Sequence, residues 1–377
     1  MKEKKDRPRL TLVKKIRYSC LVCFIFLCVL LLLEVTARHI PASPKFRRWQ
    51  FFILFSLDRW DYLSAAWSKL RLETVMENPG FEHYVEEPEQ DRPPFDHIPY
   101  PFDVHTNEFG FRDHSFDPTE QPTFVLLGDS VSFGKGGQVD ERYSNILEKE
   151  LSIRIYNMSL QGCTAECMAI IWRNYHQLIE VDGLIIQGSG NDIDQAGWKE
   201  AISTTTLPYS QKALSWLSHT HLFQRLLFLM DDQRMAHQLS KHVELAHDHY
   251  QPNLIHILSL AQQRQLPVLF VHLPYAYGYF YAEHLSALCK KYSRCTEIRP
   301  AFEVPENIQT HLRAHTSLNT PHEHFISRTH KEFPFSKEEL HAIFPLHAYF
   351  HDVVHLNSIG HYAVAQSLKT YLTNHTH

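Results

Sequence analysis

The sequence predicts an α/β domain built on a parallel sheet, preceded by an amino-terminal membrane helix. Three observations carry this expectation. Short apolar runs at 123–127, 154–157, 183–187 and 268–272 alternate with longer segments of helical period. Each run gives way to polar or glycine-containing turns, as strands covered by crossover helices do. Ahead of them all, Tyr18 to Leu33 is an unbroken stretch of sixteen mostly apolar residues.

The chain has 377 residues, 44% hydrophobic and 21% charged, enough apolar material for a sizeable core and too much for global disorder. A formal net charge of −5 offers no overall attraction to phosphate-rich partners, so nucleic acid is not an expected partner. The charge is uneven: residues 1–17 hold eight Lys/Arg against two Asp/Glu.

That basic segment, 1–17, is expected to stay cytoplasmic as a tail, because an excess of Lys/Arg before a span keeps it on the inner side. Residues 18–37 form the span, a signal-anchor in which Glu34 snorkels toward the interface. A cleaved signal peptide ending at Val35-Thr36-Ala37 is the alternative, which the length of the run and the charge of Glu34 disfavour. Either way the body is exported; with the anchor retained, the protein is single-pass with its main domain on the extracytoplasmic side.

Residues 38–105 read as a juxtamembrane region, helical over 49–75 and then Pro-rich over 86–101. Its apolar run at 51–57 is too short to span and docks on the body or lies along the membrane. The prolines block helix and sheet continuation, so that part reads as an extended linker. The main domain follows at 106–377, with helices expected at 145–151, 167–179, 252–264 and 358–372. A mainly helical insertion occupies 195–250.

Three cysteines fall within the span, leaving Cys163, Cys167, Cys289 and Cys295 in an exported body where disulfides persist. Cys289 and Cys295, six apart, favour a local bridge, whereas Cys163 and Cys167 read as small buried thiols. No cofactor or metal is expected. The 27 histidines, including His322, His324, His375 and His377, match no helix-borne ligand motif.

In parallel sheets, functional residues gather beyond the carboxyl ends of the strands. The first run ends in Gly128-Asp129-Ser130, where a serine at a strand-to-helix turn can project as a nucleophile beside free helix N–H groups, or Ser130 or Asp129 can simply cap the helix. The second ends at Asn157, followed by Gly162, whose backbone N–H can approach a ligand closely. The third leads into Gly188-Ser189-Gly190-Asn191-Asp192, which brings an amide donor to the same edge. Near the carboxyl end, Asp352 and His355 stand three apart before the last helix, a spacing that lets a carboxylate orient an imidazole. Singly, each of these is also an ordinary turn or cap residue.

Together and in this order, the blocks resemble those of the SGNH/GDSL hydrolase superfamily, over roughly 123–372. The resemblance implies a three-layer α/β/α sandwich of flavodoxin-like type and esterase chemistry without a cofactor. It implies Ser130 as nucleophile, His355 and Asp352 as its triad partners, and Ser130, Gly162 and Asn191 as the oxyanion hole. TNEFGFRD at 106–113, and Glu34 and Arg38 at the end of the anchor, look like segments of membrane-tethered members. One block departs from the pattern: the family's third usually reads Gly-x-Asn-Asp, whereas here glycines stand at 188 and 190.

The function expected is hydrolysis of O-acyl esters, short-chain ones first, on envelope carbohydrate, lipid or a small molecule. An O-acyltransferase acting on an envelope glycan uses the same residues, and a binding or assembly module keeps the fold alone. Gly134, Gly136 and Gly137 suggest an open, small-residue rim, which favours water as the acceptor.

Overall fold

The structure is a computed structural model. It describes residues 12–39, 76, 80, 82–86, 102–116, 121–188, 191–192, 234–273, 285–315, 337–338, 346–351 and 355–373. The chain divides into two compact units, one of residues 1–57 with 206–236 and the other of 58–205 with 237–377.

In the first unit, α1 (Leu12–His39) is a 28-residue helix that contains the sequence-predicted span. Its described large apolar side chains from Leu21 to Val35 are 37–67% exposed. Among the described residues, no helix is long and apolar enough to cross a membrane.

The second unit holds a five-stranded, wholly parallel sheet. Its strands are β3 (Thr123–Leu127), β4 (Arg154–Asn157), β5 (Gly183–Gln187), β6 (Val268–Val271) and β7 (Cys295–Ile298), in the order β4-β3-β5-β6-β7. This is the 2-1-3-4-5 arrangement of doubly wound sheets, with its switch point between β3 and β5. An antiparallel ribbon of β1 (His83–Glu86) and β2 (Phe102–His105) precedes it. These two short strands flank the segment expected as a linker; 87–101 itself lies outside the described residues.

Strand alternation sorts the core into two halves. Val125, Leu127, Leu184, Ile186, Val268 and Phe270 face α4 (Ala165–Tyr175) and α5 (Arg234–Gln263) through Met168, Trp172, Leu254 and Ile257. Phe124, Leu126, Ile155, Ile185, Leu269 and Val271 face α3 (Tyr143–Leu151) and α7 (Ser358–Thr373) through Leu147, Ala363, Val364 and Leu368. The layers on both sheet faces follow from this parity.

The expected helices at 145–151, 167–179 and 358–372 correspond to α3, α4 and α7 with ends shifted by a few residues. The helix placed at 252–264 instead runs on from Arg234 through Pro252. Proline there removes its own N–H bond and crowds the carbonyl of Asp248 one turn earlier, and burial of the apolar face of α5 on the sheet offsets that cost. Four elements had no sequence expectation: β1 and β2, which fall in the region read as juxtamembrane, β7, whose residues are less apolar than those of the inner strands, and α6 (Glu306–His315).

Cys163 and Cys167 are not thiols but a disulfide, with Cα atoms 5.4 Å apart. Thr164 is the N-cap of α4, so Cys163 lies just outside the helix and Cys167 in its first turn, close enough to bond. Cys289 and Cys295 are also bonded, as their spacing suggested.

Candidate active site

Ser130 opens α2 (Ser130–Phe133) because of the two residues before it. A Cβ at Gly128 would lie 2.5 Å from the Ser132 side chain, so only glycine lets β3 turn so directly into helix. Asp129 is the N-cap, its carboxylate accepting from the Val131 N–H at 2.9 Å. With capping left to Asp129, the Ser130 hydroxyl lies 2.8 Å from His355 Nε2, and both residues are buried, 9% and 3% exposed.

His355 is set in place by closure of the chain around it. The His351 N–H donates to the His355 carbonyl at 2.8 Å, and Phe350 and Leu356 pair in an antiparallel bridge. Asn357 then caps α7, accepting from the Gly360 N–H at 3.0 Å while its amide donates to the Ala348 carbonyl. Asp352 lies outside the described residues, as do Ser189 and Gly190.

The loop after β4 approaches the same turn: the Leu160 N–H donates to the Gly128 carbonyl at 3.2 Å. Gly162 sits in this loop with φ of +71°, a region that disfavours side chains. Asn191 Nδ2 donates to the Cys163 carbonyl at 3.1 Å, so the third block is bonded to the loop that carries Gly162. That bond uses one of the two amide hydrogens and orients the other. Ser130 and His355 are thus in direct contact, Asn191 is bonded to the loop that carries Gly162, and that loop is tied to the turn bearing Ser130.

The residues that brace this arrangement had no role in the sequence reading. Arg112, within the 106–113 block, donates to the carbonyls of Asp103 (2.6 Å), Phe133 (3.2 Å), Gly134 (2.7 Å) and Gly137 (2.7 Å). Arg142 pairs with Asp113 at 3.2 Å, both side chains 1% exposed, and Asp113 also accepts from the Asn157 N–H. Asn157 in turn donates to the Ser132 carbonyl at 2.8 Å, so it supports the helix behind Ser130 rather than facing outward. Arg112, Asp113 and Asn157 were visible only as motif letters; nothing local says that, Asp103 apart, the partners just named stand 20 or more residues away.

This bracing overturns the expectation of an open glycine rim. Residues 134–137 are buried, because Arg112 draws the carbonyls of Gly134 and Gly137 inward.

Burial also sets the local electrostatics. It pushes the Asp192 carboxyl up from 3.8 to about 8, against the hydrogen bond from the Ala165 N–H, with the Asp129 charge adding to the rise. Burial raises Asp129 to about 6, opposed by its bond from Val131 and the nearby His355. Burial pulls His361 down to about 3. Both carboxyls hold protons more tightly in the folded chain than in the unfolded one, so acidification from their folded values stabilises the fold. His361 acts oppositely, costing stability below its ordinary 6.5, where the unfolded chain gains a proton that the folded one refuses. Between pH 8 and 6.5, Asp192 therefore stabilises the fold as pH falls, at no more than about 1.4 kcal/mol per pH unit. Urea midpoints should rise from pH 8 to 6.5 in the parent relative to Asp192→Asn; parallel lines for the two would refute this.

No protein-family model matches the sequence, and no curated protein matches it. Among solved structures, the chain is similar to a member of the lipolytic G-D-S-L family from Veillonella parvula DSM 2008, at 13% identity and a TM-score of 0.38, covering 67% of this chain and 98% of that one. It is also similar to the psychrotrophic esterase EstA from Pseudoalteromonas, at 13% identity and a TM-score of 0.36, covering 67% of this chain and 99% of that one. A third similar structure is an acylhydrolase from Bacteroides fragilis, at 13% identity and a TM-score of 0.36, covering 68% of this chain and 89% of that one.

Proposed function

We propose that this chain is a membrane-anchored, exported serine esterase that cleaves O-acyl esters through an acyl-enzyme. The observation that carries the reading is the 2.8 Å contact between Ser130 Oγ and His355 Nε2 at the carboxyl end of β3, beside the switch point of the sheet. His355 takes the Ser130 proton as Oγ bonds to the ester carbonyl carbon. Asp352 orients the imidazole and stabilises its charge. The oxyanion is held by the N–H groups of Ser130 and Gly162 and by the Asn191 amide. When the tetrahedral adduct collapses, the alcohol leaves with the proton from His355. Water, deprotonated by His355, then releases the acid and restores Ser130.

Asn191→Ala is expected to lower turnover by about 10²–10³ with little change in stability, since its donor matters most once the oxyanion forms. Gly162→Ala should do comparable damage, because a side chain is strained at its positive φ. An Asn191→Ala enzyme of ordinary turnover would reduce the third block to a turn.

One observation favours a second reading, transfer of the acyl group to an envelope glycan: Ser130 and His355 are buried, and exclusion of water spares an acyl-enzyme for another acceptor. The test uses full-length protein in detergent, following aryl-ester hydrolysis over increasing acyl length with and without glycan. Acyl groups passing overwhelmingly to glycan, with negligible turnover by water, would replace the esterase with a transferase. The anchor rests on the apolar run from Tyr18 to Leu33 and the basic residues ahead of it in the sequence. The protein should remain with membranes after a high-salt wash, and a mature amino terminus at Arg38 would overturn the anchor.

A further inference from the structure

We infer that the β1–β2 ribbon is a binding site for a divalent transition-metal ion, with His83, Asp103 and His105 as ligands. The strand period places Asp103 and His105 on one face of β2, while Phe102 and Val104 turn inward and are buried. The antiparallel register pairs His83 directly with His105 and so sets it diagonal to Asp103. One potential ligand atom from each of the three residues lies within 4.8 Å of the others. His83 Nε2 is 3.5 Å from the Asp103 carboxylate, and the two imidazole rings lie 4.0 Å apart in a near-parallel stack.

Two imidazoles and one carboxylate form a donor set for Zn(II) and its neighbours, and three protein ligands leave a position for water. Rotation of the two exposed rings out of their stack makes their nitrogens converge, and the solvated site lets them turn without disturbing the core. His83 and Asp103 are 58% and 51% exposed, so an ion reaches them directly. A bound ion would cross-link β1 to β2 and close the chain between residues 86 and 102. None of its three ligands belongs to the Ser130 constellation, so the proposal does not depend on the esterase reading.

The test titrates the full-length protein in detergent with Zn(II) against a chromophoric chelator, alongside thermal unfolding with and without Zn(II). The parent should bind one equivalent and unfold at higher temperature when zinc is present, since an ion bound only by the folded state stabilises it by mass action. His83→Ala and His105→Ala should each weaken binding at least tenfold and abolish the thermal shift. Their metal-free unfolding and far-ultraviolet spectra should match the parent, because the side chains are exposed. A His375→Ala/His377→Ala variant should bind as the parent does. Absence of zinc uptake by the parent, or undiminished uptake by the His83→Ala/His105→Ala double variant, would overturn the proposal.

Discussion

Ser130→Ala is expected to lower ester hydrolysis by about 10⁴-fold or more while leaving the fold intact. Alanine is well suited to the first position of α2, and Asp129 keeps its capping bond to Val131, so the local backbone loses nothing. The direct structural loss is the hydroxyl bond to His355, worth about 1 kcal/mol. The chemical loss is far larger, because no other group at that position can form the acyl bond. His355→Ala should be nearly as damaging, and the double variant barely worse than either single one, since nucleophile and base act as a unit. Rates are measured on aryl esters alongside urea unfolding of each variant. Residual activity within tenfold of the parent in Ser130→Ala would sink the serine mechanism, and multiplicative losses in the double variant would break the pairing.

The second large effect falls on stability. Arg142→Met should cost about 3–5 kcal/mol, because it leaves the Asp113 carboxylate buried without its ion-pair partner. Burial already raises the Asp113 carboxyl above its ordinary value, and Arg142 is the first of the charges opposing that rise. Removing the arginine raises it further, so the folded variant binds a proton that the unfolded chain releases above about 3.9. The variant's deficit should therefore shrink as pH falls and Asp113 is neutralised. Urea midpoints of parent and variant from pH 8 to 5 measure this; a deficit below 1 kcal/mol, or one that grows on acidification, would show that the pair is not holding the fold. Combining Arg142→Met with Asp113→Leu should recover part of the loss, since two apolar groups bury without an unmatched charge.

The sequence by itself determined the inner strands, the helices α3, α4 and α7, and the order of the chemical blocks. Each of these is a short-range property: a continuous apolar run makes β3, β5 and β6, a cap and a helical period make α4, and a glycine beside a serine marks the turn at 128–130. Ser130 and His355 could be named because each stands beside such a local signal, although 225 positions separate them. Only the tertiary structure decided what depends on distant partners. The sheet order is chosen by which apolar faces can be covered together, and β7 becomes a strand because β6 offers it an edge. Asp129 could have capped with or without Ser130 facing a base, and the contact with His355 distinguishes these only after the chain closes at Phe350 and Leu356. The role of Arg112 is not written in its adjacent residues; four backbone carbonyls from two segments, Asp103 and 133–137, converge on it, and that convergence buries the glycine loop which composition alone suggested was open. Local propensity is written in neighbouring residues, whereas burial and long-range hydrogen bonding are settled by elements that meet only in the folded chain.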